Sequence, residues 1–298
     1  MFAEAIEVYS SPNRAHCEER AFVLTAVGVP FEMMESPQGF SLWVEPANAA
    51  TAGDHLLHYQ QERRRPARPA PVAAPPLYEQ AWMGSALYVL VLLGVGIAIS
   101  LGLGRLDAFT AGELNAGLVR HGQWWRAWTA LTLHLDAAHV TANIAAGAWF
   151  GYLAGRLLGP GTAWALVVLG AGAANLIEAL LAAADHTSVG ASTAVFTALG
   201  LLAAYSWRER HTMQLRPAQR YGPLFGGVVL LGWLGTSGVN TDVMAHLLGF
   251  AVGGLLGAVI ADPRLQRRWR RLPQWLGGAV ALGTIALAWL FAWPTSST

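Results

Sequence analysis

Residues 241–261 read TDVMAHLLGFAVGGLLGAVIA, and this stretch decides how the rest of the chain is interpreted. After Asp242 it contains only apolar residues, glycines and one histidine, His246. A bilayer core about 30 Å thick needs roughly 20 apolar helical residues, so the stretch predicts a membrane-spanning helix. Ionisable side chains inside such a helix are costly and are functional candidates. His246 is therefore the first residue that calls for a chemical explanation.

The composition of the whole chain agrees with a membrane protein. Of 298 residues, 54% are hydrophobic and 12% are charged, against about 25% charged in a typical soluble domain. The net charge of +1 provides no basic excess to release phosphate counterions, which argues against nucleic acid as a partner. Seven apolar runs of membrane length are found, at about 83–103, 139–158, 161–183, 190–206, 222–239, 241–261 and 274–293.

The arginines indicate the orientation of these runs. The chain contains no lysine, and all 19 basic residues are arginine. If the N-terminus is cytoplasmic and each run crosses the membrane once, sixteen arginines face the cytoplasm and three face outwards. Cytoplasmic loops carry an excess of basic residues. The sequence thus predicts a multi-pass protein of a bacterial inner membrane with a cytoplasmic N-terminus.

Charge and proline content divide the chain into four parts. We expect a small cytoplasmic α+β domain at 1–68, a Pro/Ala-rich linker at 69–82, a six-helix core at 83–261, and an Arg-rich loop with a seventh helix at 262–298. The first part predicts strands near 6–9, 31–35 and 40–44 and helices near 15–27 and 50–64. Its opening faintly resembles a thioredoxin-like domain, but Cys17 has no partner thiol, so an accessory domain is the favoured interpretation.

Polar residues of three different runs share one depth in the membrane. His139 and Asn143 begin the second run, Ser192 begins the fourth, and His246 lies near the start of the sixth. All three runs cross from outside to inside in the predicted topology. A serine needs a neighbouring base to become a nucleophile, a histidine can be that base, and a tetrahedral intermediate needs preorganised donors. The set therefore fits acyl transfer near the outer face.

Each of these residues also has a purely structural interpretation. Ser192 lies among small residues and can serve helix packing, while Asn143 and His246 can form hydrogen bonds between helices. Arg126 can hold lipid headgroups or loop backbone. His134 and His139 are weak candidates for a metal site without a third ligand, and the sequence predicts no metal and no cofactor.

Together these residues resemble the rhomboid intramembrane serine proteases, over about residues 83–261. The chain has Trp125-Arg126 in the first loop, His134-x4-His139-x3-Asn143 at the second run, and Gly190-x-Ser192 at the fourth. The sixth run has Ala245-His246-x-x-Gly249-x-x-x-Gly253. The order of these motifs and the runs that carry them also agree with the family.

The resemblance implies an all-α polytopic protein with a six-helix rhomboid-like core and a seventh helix. It implies Ser192 as nucleophile and His246 as general base, without a carboxylate, and an oxyanion hole of His139, Asn143 and the Ser192 N–H. His134 is then a structural loop residue. The expected activity is hydrolysis of a peptide bond in single-span membrane proteins near the outer face of the bilayer.

Two residues depart from the family pattern. Thr193 replaces the usual glycine after the nucleophile and crowds the packing against the sixth helix. Phe196 replaces a frequent tyrosine, and its ring can still stack on His246. Two other interpretations follow: a rhomboid-like pseudoprotease that binds membrane clients without cleaving them, and a haem protein with His139 and His246 as axial ligands. The haem hypothesis leaves Ser192, Asn143 and Trp125-Arg126 unexplained.

Overall fold

The structure is a computed structural model that describes residues 4–64, 77–102, 107–211, 216–235 and 242–292. The chain forms two compact units, Met1–Pro75 and Pro76–Thr298. Most of the predicted linker, residues 69–76, lies outside the described residues.

The first unit is a small α+β fold. Its elements are β1 (Ile6–Ser11), α1 (Arg14–Ala26), β2 (Glu32–Ser36), β3 (Gly39–Val44) and α2 (Ala49–Arg64). The strands form one antiparallel sheet in the order β1-β3-β2. Leucines and valines of α1, α2 and β3 form the core of this unit. The Cys17 thiol is fully buried and donates to the carbonyl of Phe40 at 3.2 Å, which fits a structural thiol.

The second unit is helical. In chain order its elements are α3 (Ala81–Ser100), α4 (Ala108–Gly112), β4 (Leu114–Asn115), α5 (Ala116–Arg120), α6 (Arg126–Thr129), α7 (Ala137–Leu158), α8 (Pro160–Leu181), β5 (Thr187–Ser188), α9 (Ser192–His211), α10 (Pro217–Gly235), α11 (Val243–Ile260), α12 (Pro263–Trp269) and α13 (Gln274–Ala292).

Within the described residues, seven helices of this unit have 18 residues or more, and each overlaps one of the apolar runs. Four of them, α3, α8, α11 and α13, are long and apolar enough to cross a membrane. Polar residues and glycines lower the mean hydropathy of α7 and α10, and Arg208, Glu209 and Arg210 lower that of α9. The count of seven spans stays a prediction. Helix α10 also begins five residues before the predicted run. Proline is favoured at the first position of a helix, and the residues between Pro217 and the run are helical although they are not part of an apolar stretch.

Helix α9 lies at the centre of the bundle. Phe196, Leu199, Leu201 and Tyr205 on this helix are buried, and its backbone is in direct contact with that of α11. Helix α3 packs on α7, and α13 packs on α8. Helix α9 therefore holds the first residue of its N-terminal turn, Ser192, against neighbours on both sides.

The connection between α3 and α7 is folded rather than extended. Its short helices α4, α5 and α6 precede α7, and β4 pairs with β5 just before α9, with Leu114 opposite Ser188. This pairing ties the connection to the segment that leads into Ser192.

Helix α13 is attached to the bundle at both of its ends. At its start, Gln274 Oε1 accepts hydrogen bonds from the backbone N–H groups of Gly161 and Thr162 at 3.0 and 3.1 Å, and so satisfies two open donors of α8. Near its end, Trp289 donates to the Thr132 hydroxyl at 3.1 Å. The seventh helix is thus part of the folded unit.

Candidate functional site

The backbone before Ser192 is held by two hydrogen bonds. Gly190 has φ +132°, a conformation that L-residues with a side chain rarely adopt, and its N–H donates to the carbonyl of Ala130 at 2.9 Å. The Ala191 N–H donates to His134 Nε2 at 3.3 Å. Ser192 then begins α9 and is only partly buried. The first N–H groups of a helix have no partner within the helix, so the Ser192 N–H is available as a donor.

His134 fixes this backbone as a neutral imidazole. Burial, together with the neighbouring His139, lowers the pKa of His134 to about 4. Its Nε2 accepts from Ala191, so the ring proton belongs on Nδ1. A protonated ring would lose this acceptor. His134 therefore supports the backbone that leads into Ser192, and it does not line the cavity into which Ser192 opens.

His246 is buried in the first turns of α11, with 6% of its surface exposed. Asp242 caps this helix, because its Oδ1 accepts from the Ala245 N–H at 3.0 Å. The ring of Phe196 lies against the imidazole, with centroids 4.3 Å apart and planes tilted by 35°. The Phe196 ring thus packs on the histidine, as the sequence suggested, without supplying a hydroxyl.

Asn143 and His139 lie on the other side of Gly190. A Cβ placed on Gly190 would be 2.8 Å from His139 Nε2 and 3.6 Å from Asn143 Nδ2. Asn143 is 6% exposed, and its Nδ2 group has no hydrogen-bond partner among the described residues. Buried donors without a partner are rare. The Asn143 amide is therefore a buried donor that has no acceptor in the part of the chain that the structure describes.

These side chains meet in one cavity of about 680 Å³. Its lining includes His139, Asn143, Ser192, Phe196, Asp242 and His246. The cavity has both a hydroxyl and an imidazole next to an open amide donor, which is the set that acyl transfer requires. Of the other predicted site residues, Trp125, Arg126, His134, Gly190, Gly249 and Gly253 do not line it.

Two glycines of α11 bring that helix against α9. A Cβ on Gly249 would be 2.7 Å from the carbonyl oxygen of Thr193, and one on Gly253 would be 2.0 Å from that of Thr197. Neither position has room for a side chain. Thr193 itself is buried, with its methyl 3.3 Å from the Gly249 Cβ position, so the close approach persists despite the missing glycine at 193.

Trp125 and Arg126 organise the connection. Arg126 is 3% exposed and donates to Gln123 Oε1 and to the carbonyls of Glu113 and Thr110, at 2.7–2.8 Å. Burial lowers the pKa of its guanidinium. The Trp125 ring stacks on Phe291 of α13, with centroids 6.1 Å apart. Arg126 therefore holds the backbone of the connection, and Trp125 packs the connection against α13.

Several residues near the site carry no sequence motif of their own. Tyr88 donates to the backbone carbonyl of Asn143 at 2.8 Å, and Asp136 caps α7 by accepting from the His139 N–H at 2.8 Å. An acid three residues before each of His139 and Ala245 is a helix-cap pattern that the sequence alone could have indicated. Glu178 gave no such signal, because it stands alone within the apolar run 161–183.

Comparisons with known proteins show which proteins this chain is similar to. Residues 121–263 match the rhomboid domain. The chain is 30% identical over 186 residues to rhomboid protease GluP of Bacillus subtilis (strain 168), an alignment that covers 62% of this chain and 34% of that protein. It is 27% identical over 152 residues to the predicted rhomboid protease YdcA of the same organism, which covers 51% of this chain and 74% of that protein.

The match at 121–263 and these two named relatives support the rhomboid family for this chain. Its helical fold and its four membrane-length apolar helices agree with a multi-pass membrane protein. The chain spans about a third of the length of GluP.

Proposed function

We propose that this protein is an intramembrane serine protease that uses Ser192 as nucleophile and His246 as general base. The observation that carries the proposal is the single cavity in which both side chains lie beside the partnerless Asn143 amide. Named rhomboid proteases among its relatives support the reaction class.

In the first step, Ser192 Oγ attacks the carbonyl carbon of the substrate while His246 takes the hydroxyl proton. The imidazolium then gives that proton to the departing amine, which leaves an acyl-enzyme. Water, activated by the neutral His246, hydrolyses the ester and restores the serine. The ring of Phe196 holds the imidazole in place; no carboxylate is assigned to the dyad.

The oxyanion of the tetrahedral intermediate is assigned to three donors. These are the Asn143 amide, the His139 ring and the backbone N–H of Ser192. The Asn143 Nδ2 group is already buried and without a partner among the described residues, so it loses no hydrogen bond when the oxyanion forms. Donors fixed in this way before the reaction provide the larger part of catalysis in such sites.

The substrates are proposed to be single-span membrane proteins, cut near the outer face of a bacterial inner membrane. The arginine distribution supports this orientation, because it places the starts of α7, α9 and α11 on the outer side. The unit 1–75 is proposed to be a cytoplasmic accessory domain. The lipid bilayer is the remaining partner, and the reaction requires no cofactor.

A fluorophosphonate probe tests the nucleophile directly. Purified protein should be labelled, and Ser192→Ala and His246→Ala should each abolish both labelling and cleavage of a panel of single-span substrates. Ser206→Ala is a matched control, since Ser206 lies on the same helix but outside this cavity. Cleavage that persists in Ser192→Ala would refute the proposal. An unlabelled wild-type protein that retains uncut clients would instead identify a pseudoprotease.

A further inference from the structure

Three metal-binding side chains converge beside the cavity, outside the proposed dyad. Glu178 lies near the end of α8, His186 lies in the loop before β5, and Asp242 caps α11. His186 Nε2 is 3.1 Å from Glu178 Oε1 and 3.2 Å from Asp242 Oδ2. One donor atom from each residue lies within 4.8 Å of the others. The sequence had suggested His134 and His139 as metal ligands, and His139 and His246 as haem ligands, and none of these residues belongs to this cluster.

Hydrogen bonds within this cluster leave its oxygens unsatisfied. The Glu178 side chain is 0% exposed, and neither its Oε2 nor Asp242 Oδ2 accepts a hydrogen bond from a donor group among the described residues. The two carboxyl groups lie within hydrogen-bond distance of each other, so a shared proton or a cation is needed between them. A single ring N–H points well at only one acceptor, so His186 cannot satisfy both carboxylates through Nε2. The nearby Arg120 guanidinium is engaged elsewhere, with the carbonyls of Ala179 and Ala182.

We propose that Glu178, His186 and Asp242 bind a zinc ion. Zinc–nitrogen and zinc–oxygen bonds of about 2.0–2.2 Å place tetrahedral ligand atoms about 3.3–3.6 Å apart. The two separations at His186 Nε2, 3.1 and 3.2 Å, lie just below this range. A divalent cation also balances the two carboxylates, which matters for a fully buried acid such as Glu178. Three protein ligands leave the fourth position for water.

The ion would join three parts of the fold that carry the site. Its ligands come from α8, from the loop that leads through β5 to Ser192, and from the residue that caps α11 four positions before His246. The zinc site is assigned from its own contacts and does not depend on the proposed protease activity. Its effect is structural: the ion holds the start of α11 against α8 and the β5 segment.

Metal titration of the purified full chain in detergent tests this site. After chelation and removal of the chelator, the protein should bind one equivalent of Zn²⁺, and its unfolding temperature should rise with that addition. Co²⁺ in the same site should give the visible absorption of a tetrahedral complex. Glu178→Gln and His186→Asn should each weaken Zn²⁺ binding at least tenfold and remove the cobalt bands. His121→Ala, at an exposed histidine in the connection between α3 and α7, should change neither.

Two outcomes would overturn the assignment. The first is a wild-type protein that binds no equimolar Zn²⁺ or Co²⁺, in which case the three residues form only a network of ion pairs. The second is a Glu178→Gln or His186→Asn protein that binds the metal as tightly as wild type. His186→Asn covers the case in which Glu178→Gln does not fold, since His186 is 30% exposed and lies in a loop. Ser192→Ala should bind zinc normally, so failure of the protease proposal would be seen separately.

Discussion

Replacement of Gly253 by alanine tests whether the contact between α9 and α11 sets the position of His246. The new Cβ would be 2.0 Å from the Thr197 carbonyl oxygen, whereas ordinary contacts begin at 3.4 Å. Because the obstacle is backbone, no side chain can rotate away. The two helices must therefore move apart by more than an ångström at Gly253. This position is seven residues, or two helical turns, beyond His246.

The magnitude follows from that displacement. Misplacement of catalytic groups by about 1 Å costs roughly 100-fold in rate, so Gly253→Ala should lower kcat/KM, and the rate of fluorophosphonate labelling, by about that factor. Overpacking of this kind also costs about 1–3 kcal/mol of stability. Both effects should appear together, in a cleavage assay and in thermal unfolding of the same preparation.

Gly254→Ala provides the matched control. A Cβ at this neighbouring position has only the Gly200 carbonyl oxygen near it, at 3.9 Å. Alanine is the better helix former by about 1 kcal/mol, so this variant should keep full activity and be at least as stable as wild type. The reasoning is refuted if Gly253→Ala and Gly254→Ala behave alike.

Three further changes probe other parts of the site. Asn143→Ala should lower kcat by about 100- to 1000-fold with little change in KM, because an oxyanion donor is lost; an unchanged kcat in steady-state cleavage would remove Asn143 from the oxyanion hole. Arg126→Ala leaves the carbonyls of Glu113 and Thr110 without donors and should cost about 1–3 kcal/mol in denaturation experiments; equal stability would show that the connection does not depend on it. His134 has a pKa of about 4 when folded, below the ordinary 6.5, so the unfolded chain binds its proton first and stability should fall as pH drops from 6.5 towards 4. His134→Gln should flatten that decline in unfolding temperature, and an equally steep decline would contradict the burial argument.

The sequence predicted the helices well where apolar length was the signal. The runs at 139–158 and 161–183 lie within two residues of α7 and α8 at each end. The length of an apolar run indicates such a helix without any information on the residues that pack against it. The start of α10 was missed, since Ala218 to Tyr221 are helical without being apolar enough to extend a run.

The site was only partly accessible to sequence reasoning. The sequence could bring Ser192, His246, Asn143 and His139 together, because the predicted order of the spans is enough to place all four at one depth in the membrane. Contacts between distant segments carry no such signal. Glu178 and His186 are eight residues apart and meet Asp242 more than fifty residues further on, and Tyr88 reaches Asn143 from another helix. Such pairings arise from packing that local patterns do not encode.

The hydrogen bonds at the two ends of α13 bear on how much of the chain the folded helical unit needs. The region that matches the family ends at residue 263, before this helix begins. A chain that ended there would leave the Gly161 and Thr162 N–H groups without the acceptor that Gln274 supplies. It would also remove the ring contact between Phe291 and Trp125. The folded unit thus extends beyond the region that matches the rhomboid domain, and α13 fixes the connection between α3 and α7 to the helix bundle.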